Sequence, residues 1–167
     1  MYNILQNRIT MKTNSYKTFG LMLCLSFIIM YGVMFLNVDQ ADHIYLSVTR
    51  TYMTFLMIAP MAILMLSLMP AMYQNKRLNR IIYIFSSAVF LLSFWMLRSQ
   101  IAVTDAQYIK AMIPHHSSAI MTSRHADIQD LELKKLSLSI IASQEKEIRE
   151  MKTMLKRLHQ GKTDAGK

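Results

Sequence analysis

The sequence predicts an all-α membrane protein: three transmembrane helices, then an antiparallel two-helix hairpin outside the bilayer. Three observations carry the prediction. The 167-residue chain is 53% hydrophobic with a mean hydropathy of +0.22, which is apolar for its size. Its long uncharged runs all lie in the first part of the chain, and each is of bilayer-spanning scale. Glycine and proline number only 4 and 3, which favours long helices over turns and sheets.

Residues 1–17 form a polar tail carrying Arg8, Lys12 and Lys17 and no acid. The first span is expected at 18–38. A cleaved signal peptide is disfavoured, because the apolar run is too long and Phe35-Leu36-Asn37-Val38 offers no small-residue cleavage pattern. A short loop at 39–50 holds Asp39, Asp42 and His43. The second span is expected at 51–75, with Pro60 and Pro70 kinking it. Lys76, Arg77 and Arg80 precede a third span at 81–97, short for a crossing, with Trp95 as an interfacial anchor.

Charge orients these spans. The tail and the loop at 76–80 each carry three basic residues and no acid, whereas the loop at 39–50 carries two acids and one base. Excess lysine and arginine mark the cytoplasmic side. The N-terminus is therefore expected in the cytoplasm, and the domain at 98–160 outside a plasma or inner membrane. On this reading the net charge of +9 reports topology, and no nucleic-acid partner is expected.

The outer segment begins near Thr104, which with Gln107 resembles a capping box; alternatively, the third span continues outward as one helix. That helix should run to about Ala126, with Pro114 bending it from inside. Asp127 is expected to cap the second helix, with Asp130 in its first turn, and Gly161 to end it near His159. Residues 161–167 are expected to be a disordered tail. The second helix carries an apolar face of Ile140, Ile141, Ile148, Met151, Met154, Leu155 and Leu158, interrupted by Gln144 and Glu147.

Methionine is the compositional anomaly, at 16 residues. Met53, Met57, Met61, Met65 and Met69 recur every four residues on the second span, with Met72 close behind. At about 100° per residue such a row winds around the helix, so packing is the preferred reading over a thioether path for metal. The single cysteine, Cys24, excludes a disulfide framework and a thiolate zinc site.

The chemistry concentrates at Met112-Ile113-Pro114-His115-His116. With Met112 at zero, His115 falls about 60° to one side and His116 about 40° to the other. One thioether and two imidazoles share a narrow face, with small Ala119 beside them. A hairpin partner would bring Gln144, Glu147 and Met151 opposite Tyr108, Met112, His115 and His116. The candidate metal ligands are Met112, His115, His116 and Met151. Asp105, Tyr108, Gln144 and Glu147 are the candidate polar partners behind them or along the bundle seam. Thioether and imidazole donors favour Cu(I), with Ag(I) as its mimic, and Glu147 leaves Cu(II) open. Paired carboxylates with Glu-x-x-His are absent from the sequence, which disfavours a di-iron oxidase, and no nucleophile–base arrangement suggests an enzyme.

The pattern Asp105, Tyr108, Met112-Ile113-Pro114-His115-His116, Ala119-Ile120, then Gln144, Glu147-Ile148 and Met151 resembles domain-of-unknown-function family 305, over roughly residues 100–158. The resemblance implies a ferritin-like helical bundle, exported or membrane-anchored, with copper or silver bound by methionine and histidine in some members. Many members carry methionine at the position of Thr122, whereas here methionine stands at 121, on the other face. The family's bundle has more helices than two, so a homodimer would complete four, or the hairpin would dock on the membrane spans. The expected function is extracytoplasmic copper binding for tolerance, storage or handover to a copper-exporting or copper-accepting protein. The alternatives are a structural or interaction module without metal, and an accessory subunit of a metal transporter.

Overall fold

The computed structural model describes residues 2–164, with side chains described for 15–161. The chain is helical, with no strand among the described residues: α1 (Tyr2–Val33), a 3-10 turn (Ala41–His43), α2 (Val48–Leu68), α3 (Lys76–Arg98), α4 (Asp105–His125) and α5 (Leu131–Asp164). It divides into two compact units. One comprises Met1–Gly32 and Thr51–Ile101, the other Val33–Arg50 and Ala102–Lys167.

The first unit holds three helices long and apolar enough to cross a membrane, at Ser15–Val33, Val48–Leu68 and Lys76–Arg98. Their limits correct the expected spans. The first helix runs from Tyr2 through the expected polar tail, and its membrane-length part, Ser15–Val33, starts close to the expected 18 and stops short of 38. Arg8 and Lys12 lie outside the residues whose side chains are described. α2 starts at Val48 and stops at Leu68, so Pro70 does not kink it: the helix ends before a residue that disfavours helical backbone ahead of it. Pro60 remains inside. α3 starts at Lys76 rather than 81, because Asn75 caps it, accepting from the Arg77 and Leu78 N–H groups at 3.1 Å each. That lengthens the third helix to 23 residues.

Phe19, Ala62, Leu66 and Tyr73 form the core of this unit, flanked by Tyr16, Leu23, Met65, Ile82 and Tyr83. Tyr16 donates to Asn79 Oδ1 at 2.7 Å and accepts from the Asn75 N–H at 3.1 Å. Large apolar side chains such as Ile28, Leu64, Phe85 and Leu91 point outward, as lipid-facing residues do.

The helix after α3 does not continue it. Gln100 has φ 50° and Ala102 φ 58°, both left-handed. Gln100 N–H donates to the Leu97 carbonyl and Ile101 N–H to the Met96 carbonyl, the crossed pair that closes a helix C-terminus.

The second unit is an antiparallel α4–α5 hairpin with the segment between α1 and α2 strapped across it. Its core is Ile109, Ile113 and Ile120 from α4 with Ile148 and Leu155 from α5. Ile141, Met151 and Leu158 pack against that core, and so does Tyr45 of the strap. The expected capping box at Thr104 does not form. Thr104 makes no side-chain cap, and Gln107 Oε1 instead accepts the Val48 N–H at 3.0 Å. Asp127 does not cap α5 either. Asp130 does, its Oδ1 accepting the Leu133 N–H at 2.7 Å. Nor does Gly161 end that helix, which runs on to Asp164; residues 165–167 lie outside the described residues.

Candidate functional site

His116 and Glu147 fix the register of the hairpin. His116 Nε2 lies 2.7 Å from Glu147 Oε2. Because α4 and α5 run antiparallel, one turn back along α4 faces one turn forward along α5. Met112 therefore stands opposite Met151. In the other direction Ala119 stands opposite Gln144. Three rungs result: thioether with thioether, imidazole with carboxylate, and a small residue with an amide. All six positions belong to the sequence pattern that singled out this region.

The rungs differ in environment. Met112 and Met151 are half-buried, and Met151 packs on the hairpin core. His116 is held at both ring nitrogens, Nδ1 lying 3.0 Å from the Met112 carbonyl oxygen and Nε2 on Glu147. Glu147 also accepts from Ser143 Oγ at 2.7 Å. The Ser143 hydroxyl and then His116 hold the Glu147 carboxyl below its ordinary range. His115 is exposed, its ring centroid 6.1 Å from that of His116. The Gln144 side-chain oxygen is buried without a hydrogen-bond partner. Asp105 and Tyr108 lie exposed at the start of α4, away from the rungs. His125 is exposed at the far end of the same helix.

The donors fit a soft monovalent ion better than a hard one. Met112 and His116 lie one turn apart on α4, and the Nε2 of His116 is taken up by Glu147. No three histidine, cysteine, aspartate or glutamate side chains come together as a metal cage among the described residues.

Sequence reasoning missed the strap. Residues 39–50 read as a bare loop, yet they are tied to both helices. Arg124 of α4 binds Asp39 at 2.6 Å and Glu145 of α5 at 2.8 Å. Lys152 of α5 binds Asp42 at 2.5 Å. Ser117, wholly buried, accepts the Asp39 N–H and meets His43 Nδ1, each at 2.8 Å. The Arg50 guanidinium lies 4.2 Å from the Phe35 ring centroid and donates to the Met34 carbonyl, closing the base of the strap. The only hint in the sequence was two acids and a histidine in a short loop facing a basic hairpin.

Arg124 is the cross-brace of this unit. Asp39 is 6% exposed, so removing its partner leaves a buried carboxylate without compensation. Arg124→Ala is expected to destabilise the unit by about 1–3 kcal/mol. Arg124→Lys should recover little of this, because one ammonium cannot fork between two carboxylates. Urea titration of the two variants, followed by helical circular dichroism, checks the order.

Comparison with known proteins places these residues. No solved structure matches the chain. An uncharacterized protein of Acanthamoeba polyphaga mimivirus is 33% identical over 138 residues, covering 81% of this chain and 89% of the viral protein. A match of that extent reaches well beyond the hairpin into the membrane-length helices. The profile of the Domain of unknown function (DUF305) matches residues 65–155, so the shared region takes in α3 as well as the hairpin rungs. With just over half its length under that profile, the chain belongs to the DUF305 family.

Proposed function

We propose that this chain is a membrane-anchored, extracytoplasmic copper-binding protein. It holds Cu(I) through Met112, Met151 and His115, with His116 recruited from Glu147, and serves copper tolerance, storage or handover. The observation that supports the reading is the His116–Glu147 contact, from which an antiparallel register would bring Met112 toward Met151 one turn away. Thioethers stay neutral and do not form disulfides, which suits an oxidising compartment.

The orientation draws support from the strap as well as from charge. The strap lies between α1 and α2 and the hairpin follows α3, yet the two are bonded together. Two segments in contact lie on one side of a bilayer, so α2 and α3 cross it as a pair. The single remaining crossing, α1, leaves the N-terminus on the opposite side. Lys76, Arg77 and Arg80 at the start of α3, and the basic, acid-free residues 1–17, support a cytoplasmic position for that opposite side.

One observation favours a second reading. Both ring nitrogens of His116 lie within hydrogen-bond distance of acceptors of the protein itself, the Met112 carbonyl and Glu147 Oε2, as they would in an interaction module whose polar seam needs no metal. Titration of the full-length protein in detergent with Cu(I), against a competing chelator, separates the two. The copper reading expects the wild type to hold Cu(I) against chelator concentrations that strip the His115→Ala, His116→Ala double variant. Equal retention by both proteins overturns it.

A further inference from the structure

The strap carries into the interior of the second unit a titratable group that the metal rungs do not use. His43 is 5% exposed, and its Nδ1 lies 2.8 Å from Ser117 Oγ. The same oxygen accepts the Asp39 N–H. One buried hydroxyl therefore anchors the strap on both sides of its 3-10 turn. With His43 neutral, the arrangement is complete: Ser117 donates its proton to Nδ1 and accepts from Asp39. With His43 charged, Nδ1 becomes a donor and the hydroxyl proton loses its acceptor, since the Ser117 hydroxyl has no other hydrogen bond among the described residues.

The neighbouring charges divide over a second proton: Lys152 opposes it, and Asp42 and Asp39 favour it less strongly. From the strap, Asp39 and Asp42 face this region; from α5, Glu145, Arg149 and Lys152; from α4, Arg124. Asp39 and Glu145 are committed to Arg124, and Asp42 to Lys152, while Asp42 Oδ1 stands 3.7 Å from His43 Nε2. An open-sided cavity of about 250 Å³, lined by His43, Gln40 and Arg149 among others, gives water a path to the ring.

We propose that His43 makes the strap an acid-sensitive latch: the neutral ring holds the strap around Asp39 on Ser117, and protonation loosens that part of it. Neither state requires a metal ion. Burial, and then Lys152, hold the His43 pKa below its ordinary 6.5, with Asp42 and Asp39 opposing. The released strap therefore binds the proton more tightly. Latching is fully favoured above 6.5 and weakens as the pH falls below it, toward the depressed value. The hydrogen bond from Lys152 holds the Asp42 carboxyl below 3.8, so the Asp42–Lys152 tie outlasts that window.

Hydrogen exchange of the full-length protein in lipid nanodiscs tests the latch, with exchange times scaled for the intrinsic pH dependence of the chemistry. Between about pH 7.5 and about pH 5, protection of the strap amides around Asp39 is expected to fall about threefold or more, while the amides of the α4 core hold. His43→Asn keeps a polar atom near the Nδ1 position and cannot titrate, so its strap protection should not change with pH. Lys152→Gln should move the release to higher pH by removing the cation that opposes protonation, and it decides the matter should His43→Asn not fold. Unchanged strap protection in the wild type overturns the proposal. So does a wild-type drop in His43→Asn, or an unmoved release in Lys152→Gln.

Discussion

Replacing Met112 and Met151 together by leucine is expected to weaken Cu(I) binding on the order of 100-fold, about 2.7 kcal/mol, without unfolding the hairpin. The swap nearly conserves volume, and such changes usually cost less than about 1.5 kcal/mol of stability. What it removes is the soft donor at the first rung, and His115 with His116 does not replace two thioethers for a soft ion. Each single variant should fall between the wild type and the pair. Competition with a chromophoric Cu(I) chelator reads the affinity, and a thermal melt of the same sample reads the fold. Unchanged affinity in the double variant would leave the methionines as packing and return the site to the histidines.

Ile113→Ala is expected to destabilise the second unit by about 2–5 kcal/mol. Ile113 is 0% exposed and sits in the α4–α5 core beside Ile109, Ile120, Ile148 and Leu155. It also precedes Pro114, where the backbone has already given up one helical hydrogen bond. A cavity there has little room to collapse, because Pro114 and Ser117 beside it are themselves fully buried. Ile113→Val should cost only about 0.5–1.5 kcal/mol. Chemical denaturation of full-length protein, with the unit followed by hydrogen exchange at α4, separates the two. Equal stability of both variants would mean that this core does not hold the hairpin.

Much of this architecture was legible in the residues. Uncharged runs gave three membrane-length helices, and the apolar face of α5 from Ile141 to Leu158 gave the hairpin partner. What escaped was set by competition between local and tertiary bonds. Gln107 had the right spacing for a capping box, but its side chain went to the Val48 N–H. Asp127 looked like a cap, yet helix geometry starts three residues later and Asp130 takes the role. Gln100 ends α3 in a left-handed conformation that the residue type does not advertise. At the site, the expected hairpin pairing of His116 with Glu147 is present. The commitment of both His116 nitrogens needed coordinates, because Glu147 lies 31 residues away. The strap was illegible for the same reason, with Asp42 and Lys152 separated by 110 positions.

That separation has a consequence for synthesis. The strap leaves the ribosome before two of the three membrane-length helices, and the hairpin residues that bind it come after them. Until α4 is made, Asp39 has no guanidinium and His43 no hydroxyl; until α5 follows, Asp42 has no ammonium and Tyr45 only part of its core. Contacts this distant in sequence close late and slowly. The growing chain must therefore keep an unfinished strap waiting while α2 and α3 insert. A fragment started after α3 is born without one of the three segments that its core was shaped to receive.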